Sequence, residues 1–245
     1  MRRAVVQESK SQDQAVYVQD MFSRIAHRYD LMNRLMTVGQ DIRWRRITIR
    51  QLALPEGGLL LDLGAGTGDL AREALHQQPM SSAVAADFTL EMMRSGKRHS
   101  TAGLRWCAAD AHQLPFPDGC FDGLVSGFLL RNVTDIQASL REQVRVLKPG
   151  GRWASLDTTR PRPGLLYPLV KAHLHFVIPA LGRLLTGQAD AYRYLPDSTE
   201  NFLRAEQLAS KMTEAGLHDV GFQLFMFGTV AIHWGRNGSA WGDQS

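Results

Sequence analysis

Short apolar runs that alternate with helical stretches between residues 59 and 156 constrain this chain more than any other feature. Leu59-Leu60-Leu61 ends in Asp62, Ala83-Val84-Ala85-Ala86 ends in Asp87, and Leu104-Arg105-Trp106-Cys107 leads to Asp110. Gly123-Leu124-Val125-Ser126 and Arg152 to Leu156 are a fourth and a fifth run. Leu70 to Gln77, Leu90 to His99 and Ile136 to Leu147 are helical in pattern, the last stopped by Pro149-Gly150-Gly151. Runs this short and apolar suit strands buried on both faces. Strands joined through helices pair in parallel, and the helices cover both sides of the sheet. The spacing predicts an α/β fold on a mostly parallel central sheet.

The flanks carry other signals. Residues 1–14 are polar. Val18, Phe22, Ile25 and Tyr29 then recur at spacings of three and four, one face of a helix. Arg43, Arg45, Arg46 and Arg50 surround Trp44, either as a solvated helix side or as a contact with an anionic lipid surface. We therefore expect a helical segment over residues 1–50 and one α/β domain over residues 51–236. Residues 160–200 break the alternation and read as a helical insertion over the strand ends. Glu206 to Ala215 is a helix closed by Gly216. Val220 to Phe227 and Thr229 to Trp234, parted by Gly228, suit a hairpin at the sheet edge and bring the strands to seven. Residues 237–245 read as a disordered tail.

Hydrophobic residues at 44% and charged residues at 21% exclude a chain disordered throughout. A formal charge of +4 is too small to argue for nucleic acid. The most apolar stretch, Leu165 to Gly187, is interrupted by Lys171, His173, His175 and Arg183, so it does not read as a membrane span. Met1-Arg2-Arg3 is not followed by the apolar region of a signal peptide, and a cytoplasmic protein is expected. Cys107 and Cys120 read as small core residues, and the histidines show no metal-ligand spacing.

The strongest local signal is Leu61-Asp62-Leu63-Gly64-Ala65-Gly66-Thr67-Gly68-Asp69, a buried strand entering a glycine turn and then a helix. Glycines let the backbone take unusual angles and approach a ligand closely. The spacing is neither that of a dinucleotide fingerprint nor that of a phosphate-binding loop with its lysine. Asp87 ends the next strand, where a carboxylate either accepts ribose hydroxyls or caps a helix. Asp110-Ala111 ends the third, beside an adenine or simply in a turn. Ligands of parallel sheets sit at this carboxyl edge.

Together these residues resemble the class I methyltransferases that use S-adenosylmethionine. The resemblance implies a Rossmann-like fold: a mostly parallel seven-stranded sheet, helices on both faces, and the helical insertion near residues 160–200. It implies cofactor contacts from Asp62, Gly64, Gly66, Thr67, Gly68, Asp87, Phe88, Asp110, Ala111 and Gly127.

A narrower resemblance spans residues 16–236. Phe22-Ser23-Arg24-Ile25-Ala26-His27-Arg28-Tyr29-Asp30-Leu31-Met32-Asn33 is similar to the N-terminal signature of the ubiquinone/menaquinone biosynthesis C-methyltransferases, the family of the demethylmenaquinone methyltransferases. Leu130-Arg131-Asn132-Val133, Tyr192-Arg193-Tyr194-Leu195 and Val230-Ala231-Ile232-His233-Trp234-Gly235 match as well. Leu114-Pro115-Phe116-Pro117 and Lys148-Pro149-Gly150-Gly151 also match, but occur across many small-molecule methyltransferases. The resemblance implies methyl transfer from S-adenosylmethionine, leaving S-adenosylhomocysteine, to a ring carbon of a prenylated quinol. It implies catalytic roles for Arg131, Asn132 and Asp157, with Arg131 facing the methyl group and Asp157 as a proton acceptor. It places Tyr29, Asn33, Phe128 and Tyr194 around the substrate. No metal and no nucleic acid are implied. Peripheral membrane contact and a homodimer stay open. Two positions depart from the family: Leu129 stands where it has glycine, and Gly127 where it has serine. Asp157-Thr158-Thr159-Arg160-Pro161 also departs from its Glu-Phe-Ser-Lys-Pro. These departures bear on the acceptor, and another hydrophobic phenol or a sterol is the alternative to a quinol.

Overall fold

The computed structural model describes residues 19–24, 26, 29–99, 101–161, 168, 176 and 198–238. Seven strands form one sheet in the order β3-β2-β1-β4-β5-β7-β6. They are β1 (Leu59–Leu63), β2 (Ser82–Asp87), β3 (Leu104–Ala108), β4 (Phe121–Gly127), β5 (Leu147–Thr158), β6 (Leu217–Phe225) and β7 (Val230–Asn237). The first five pair in parallel; β7 runs antiparallel to both β5 and β6. The expected mostly parallel, seven-stranded α/β architecture is the one observed. Leu60 pairs with Ala83 on one side and Gly123 on the other, so strand order reverses at β1. A crevice opens at the carboxyl ends of β1 and β4, as it does wherever the order of a parallel sheet reverses.

Side chains alternate across a strand, and β1 uses both faces. Leu60 packs with Ile49 and Leu52 of α2 (Gln40–Leu52) and with Leu70, Ala71 and Ala74 of α3 (Asp69–Gln77). Leu61 and Leu63 turn the other way. They join Leu140 of α5 (Ile136–Val146), Leu208 and Met212 of α6 (Ala205–Glu214), and fully buried Trp153. The Trp153 indole N–H donates to Gln143 Oε1 at 2.9 Å, so the largest core side chain buries no unpaired donor. α1 (Tyr29–Met36) and α4 (Leu90–Lys97) complete the set.

Several boundaries differ from the sequence reading. β5 starts at Leu147, five residues early, because β4 and β7 pair with it on either side. The helix before it ends at Val146. The hairpin turn is Met226–Gly228, with Phe227 left-handed at φ 56°. Asn237 belongs to β7 rather than to a tail, and its side-chain amide donates to the Leu147 carbonyl at 2.8 Å. The N-terminal periodicity resolves into a helical stretch at residues 19–24 and then α1, joined to α2 by a turn. The arginine cluster splits: Trp44 and Arg45 are buried, while Arg43, Arg46 and Arg50 are exposed. The insertion lies almost wholly outside the described residues. Cys107 and Cys120 are only half-buried.

Gly96 sets how closely α4 approaches the turn after β1. A Cβ there would lie 2.4 Å from the Thr67 carbonyl oxygen and 2.4 Å from the Trp106 ring. Gly96→Ala is expected to cost about 1–3 kcal/mol, because overpacking forces backbone or ring to shift. Urea unfolding checks this; an unchanged midpoint would mean that α4 backs away from the turn freely.

Candidate active site

Three alternate glycines carry the chain from β1 into α3, all left-handed: Gly64 at φ 65°, Gly66 at φ 56° and Gly68 at φ 84°. A side chain at Gly64 would strike Leu129, and one at Gly68 would strike Trp106, each at 2.8 Å. The loop is pinned to the end of β2: the Gly64 and Ala65 N–H groups donate to the Ala86 carbonyl at 2.8 and 3.1 Å. Asp87 completes the tie. One carboxylate oxygen accepts from the Gly66 N–H at 2.7 Å, the other from the Thr89 N–H at 2.7 Å. Burial raises its pKa, and these hydrogen bonds oppose the shift. The Thr89 hydroxyl and the Phe88 N–H also bond to this carboxylate.

The crevice has two adjoining parts, both open to solvent. The first, about 430 Å³, is lined by Phe22, Gly64, Gly66, Asp87, Phe88, Thr89, Met92, Gly127, Phe128, Leu129 and Asn132. The second, about 390 Å³, is lined by Arg45, Asp62, the loop from Gly64 to Thr67, Asp69, Leu70, Gly127, Phe128 and Leu156. Phe128 borders both and is itself left-handed at φ 56°, held by its N–H donating to the Leu156 carbonyl at 2.7 Å. Such an aromatic conformation is strained and persists only where its surroundings enforce it.

Asp62 is fully buried at the end of β1. One oxygen accepts from the Ala71 N–H at 2.9 Å; the other, Oδ1, has no hydrogen-bond partner among the described residues. Desolvation, with smaller contributions from Asp87 and Asp69, raises its pKa to about 7.

An ion network holds the N-terminal helices to the glycine loop. Arg45 NH1 binds Asp69 at 2.5 Å and Asp41 at 3.2 Å. Asp69 also takes Arg72 at 2.9 Å, and Arg72 donates to the Thr67 carbonyl at 2.6 Å. The Thr67 hydroxyl donates to Asp30 of α1 at 2.9 Å. Burial, then the neighbouring Asp69 charge, pushes the Asp30 pKa up. Sequence reading missed this network and the lining roles of Phe22 and Met92, whereas Leu129, singled out above as a departure from the family, does line the crevice. The network's one legible trace is the Asp41–Arg45 spacing of four on a helix.

The expected catalytic residues divide. Asn132 lines the first part, its amide donating to the Phe128 carbonyl at 2.8 Å. Arg131 and Asp157 do not line either part. They form a buried pair at 3.1 Å, with the guanidinium 5.0 Å from the centroid of the Phe128 ring. Arg131 therefore turns to Asp157 and not towards the crevice as expected, because a buried carboxylate offers its cation a better partner than open space. Burial raises the Asp157 pKa, and the Arg131 charge opposes the shift. Asp110 and Ala111 also fall outside the lining. Asp110 is exposed and accepts from the His112 N–H at 2.8 Å, the turn role weighed above. Gly68 helps shape the loop without lining the crevice. Asn33 is buried on α1, and its side-chain amide nitrogen is unpaired among the described residues. Tyr29 opens α1; its side chain, and all of Tyr194, lie outside the described residues.

Fold and site together place the molecule among the class I methyltransferases, whose methyl donor is S-adenosylmethionine. Solved structures share the architecture. The S-adenosylmethionine-dependent methyltransferase of Aquifex aeolicus superposes with a TM-score of 0.56 at 16% identity, covering 78% of this chain and 88% of that one. The 4+2 cyclase SpnF reaches 0.65 at 17% identity, covering 91% and 96%. A cyclase on this scaffold shows that fold alone does not decide chemistry. Sequence is more specific: the ubiE/COQ5 methyltransferase family model matches residues 6–237, and the chain belongs to that family. It is 45% identical over 219 residues to "Ubiquinone/menaquinone biosynthesis C-methyltransferase UbiE" of Desulfotalea psychrophila, covering 89% of each chain. It is 45% identical to "Demethylmenaquinone methyltransferase" of Roseiflexus castenholzii and 44% to that of Thermus thermophilus, covering 90% and 88% of this chain and 93% and 99% of theirs.

The crevice fits that donor. Gly64 and Gly66 line the crevice with bare backbone, and the Asp87 carboxylate stands beside them at the end of β2, where a ribose would lie. The unpaired Asp62 oxygen borders the polar part, where an ammonium group would complete it. Asp62 must be ionised to pair with that group. S-adenosylmethionine binding is therefore expected to tighten as pH rises from 6 towards about 7.5, with the Asp62 pKa near 7. Asp62→Asn should flatten this dependence and weaken binding by about tenfold, in line with a charge-assisted hydrogen bond. Calorimetric titration measures both; a variant with unchanged affinity would remove Asp62 from the site. Without ligand the sign reverses. The folded protein retains a proton that the unfolded chain releases, so Asp62 withdraws stability as pH climbs from about 4 to 7.

Proposed function

We propose that the chain transfers the methyl group of S-adenosylmethionine to a ring carbon of a prenylated quinol in quinone biosynthesis. One observation carries the acceptor's character. Apart from Asp87, which the cofactor's ribose would take, the crevice part bordered by Phe22, Phe88, Met92, Phe128 and Leu129 has no charged side chain among its described lining residues. Asp87 is committed to the glycine loop and the Thr89 N–H. A neutral, flat, apolar acceptor suits such walls; a phosphate or a nucleic-acid backbone finds no cation there. The names of the relatives, at 37–45% identity over most of the chain, point to the same substrate class.

The cofactor supplies an electrophilic sulfonium methyl. Asp62 and Asp87, with the glycine loop between them, would hold it. The chain must then orient the ring, whose hydroxyl would give its proton to solvent in the open crevice, and stabilise the negative charge left behind. The methyl would leave sulfur for the ring carbon, which would then release its own hydrogen as a proton to solvent. Asn132 reaches the crevice and is the polar group we assign to the acceptor. Arg131 acts behind it as a positioning residue. Its backbone N–H and guanidinium both approach Asp157, which fixes the turn Leu130–Asn132. Its guanidinium also lies over the Phe128 ring and holds that wall of the crevice in place. Because the acceptor's isoprenoid tail dissolves in a bilayer, we place the working enzyme at the cytoplasmic membrane surface. No helix among the described residues is long and apolar enough to cross a membrane.

With labelled S-adenosylmethionine and detergent-dispersed demethylmenaquinol, wild type should incorporate label. Arg131→Ala with Asp157→Ala, which leaves no lone buried charge, should lower kcat by about 100-fold or more. Its cofactor affinity should stay within about threefold, since neither residue lines either part of the crevice. Label in neither demethylmenaquinol nor a ubiquinol precursor would overturn the acceptor. An unchanged kcat would overturn the role of the pair.

A further inference from the structure

The outward side of the α1–α2 hairpin is sorted by chemistry in a way that neither the core nor the crevice requires. On α1, Leu31 and Leu35 share one face at a spacing of four, and Val38 follows in the exit turn with a left-handed φ of 52°. They are 55%, 41% and 82% exposed. The opposite face buries Met32, Asn33 and Met36. A helix that is apolar on its solvent side as well as its core side has a surface without a partner.

The charges are sorted too. Residues 29–54 contain two acids, Asp30 and Asp41, and both turn inward: Asp30 to Thr67, Asp41 to Arg45 and Thr37. Of the five arginines in the same stretch, Arg45 is buried in the ion network, and Arg34, Arg43, Arg46 and Arg50 are exposed. Arg46 has Glu73 at 4.0 Å, a distance that leaves its charge largely uncompensated. The solvent-exposed side chains of residues 29–54 therefore include four arginines, no acid, and the apolar Leu31, Leu35 and Val38.

We propose that this face docks on an anionic lipid surface, with Leu31, Leu35 and Val38 entering the headgroup boundary and the exposed arginines pairing with lipid phosphates. Basic residues bordering an apolar helical stripe are the composition that interfacial helices use. A second copy of the chain fits poorly, since a two-fold contact would set the four arginines of each copy against like charges. Nucleic acid would use the arginines but leave the leucines and valine in water. The surface also lies close to the chemistry: α1 begins at Tyr29 and its Asp30 is bonded to Thr67 of the glycine loop. Its purpose rests on the reading of a membrane-dissolved acceptor.

Co-sedimentation with quinone-free vesicles tests the surface apart from that reading. Wild type should partition at least about tenfold more onto phosphatidylcholine–phosphatidylglycerol vesicles than onto phosphatidylcholine alone, and added salt should reduce the difference. Leu31→Ser/Leu35→Ser/Val38→Ser should lower partitioning by about tenfold, and so should Arg34→Glu/Arg43→Glu. Both variants should keep the wild-type unfolding midpoint and activity on a detergent-dispersed acceptor. Partitioning that ignores either set of changes overturns the proposal. So does a shift in oligomeric state with the serine variant, or tighter binding to duplex DNA than to the vesicles. Vesicle binding with no quinol methylation would leave the surface standing and sink the acceptor instead.

Discussion

The carboxylate of Asp87 holds the centre of the molecule together. It ends β2, accepts one N–H from the glycine loop after β1 and another from the start of α4. Burying a carboxylate is costly, and charge-assisted bonds to two backbone donors offset that cost. Without them only the Gly64 and Ala65 N–H groups on the Ala86 carbonyl would tie the glycine loop to the end of the second strand. The same device recurs one strand away, where Asp62 takes the Ala71 N–H of α3. There the compensation is incomplete, and the pKa near 7 records it.

Around this centre the chain spends further buried charge on orientation. Arg45, Asp69 and Arg72 join α2, α3 and the glycine loop into one unit, and Asp30 adds α1 through Thr67. Arg131 and Asp157 do the same for the turn after β4. Buried ion pairs of this kind add little net stability, because desolvation takes back most of the Coulomb attraction. Their effect here is geometric: each fixes a loop bordering the crevice against a helix or strand of the core. Strain at Phe128 is held in the same place by the same neighbours.

The membership of the chain in its family and the apolar lining of the crevice converge on a hydrophobic ring acceptor. The departures at Gly127 and Leu129 become concrete in the structure. Leu129 packs over Gly64, where a Cβ would come within 2.8 Å, and Gly127 gives the same clearance to Leu70. The two positions thus touch the glycine loop and its helix while lining the crevice, Gly127 in both of its parts and Leu129 in the first.

The strands, the glycine loop, Asp87 at its strand end and the edge hairpin could be read from the sequence, because each rests on local rules: apolar runs, turn chemistry and spacing. Local rules also located Arg131 and Asn132 on one loop, but could not separate the one that faces the crevice from the one buried against Asp157. That partner lies 26 residues away on another strand. Likewise, four arginines around Trp44 have one periodicity, and only packing against α3 decided that Arg45 turns inward while its neighbours face solvent. Asp110 looked like Asp87 as a strand-end acid, yet it caps its own turn because nothing folds over it. Sequence alone therefore determined which elements exist and where a ligand must sit. Direction, burial and pairing of the charged side chains came from contacts between distant segments, where desolvation rewards only the groups that find a partner.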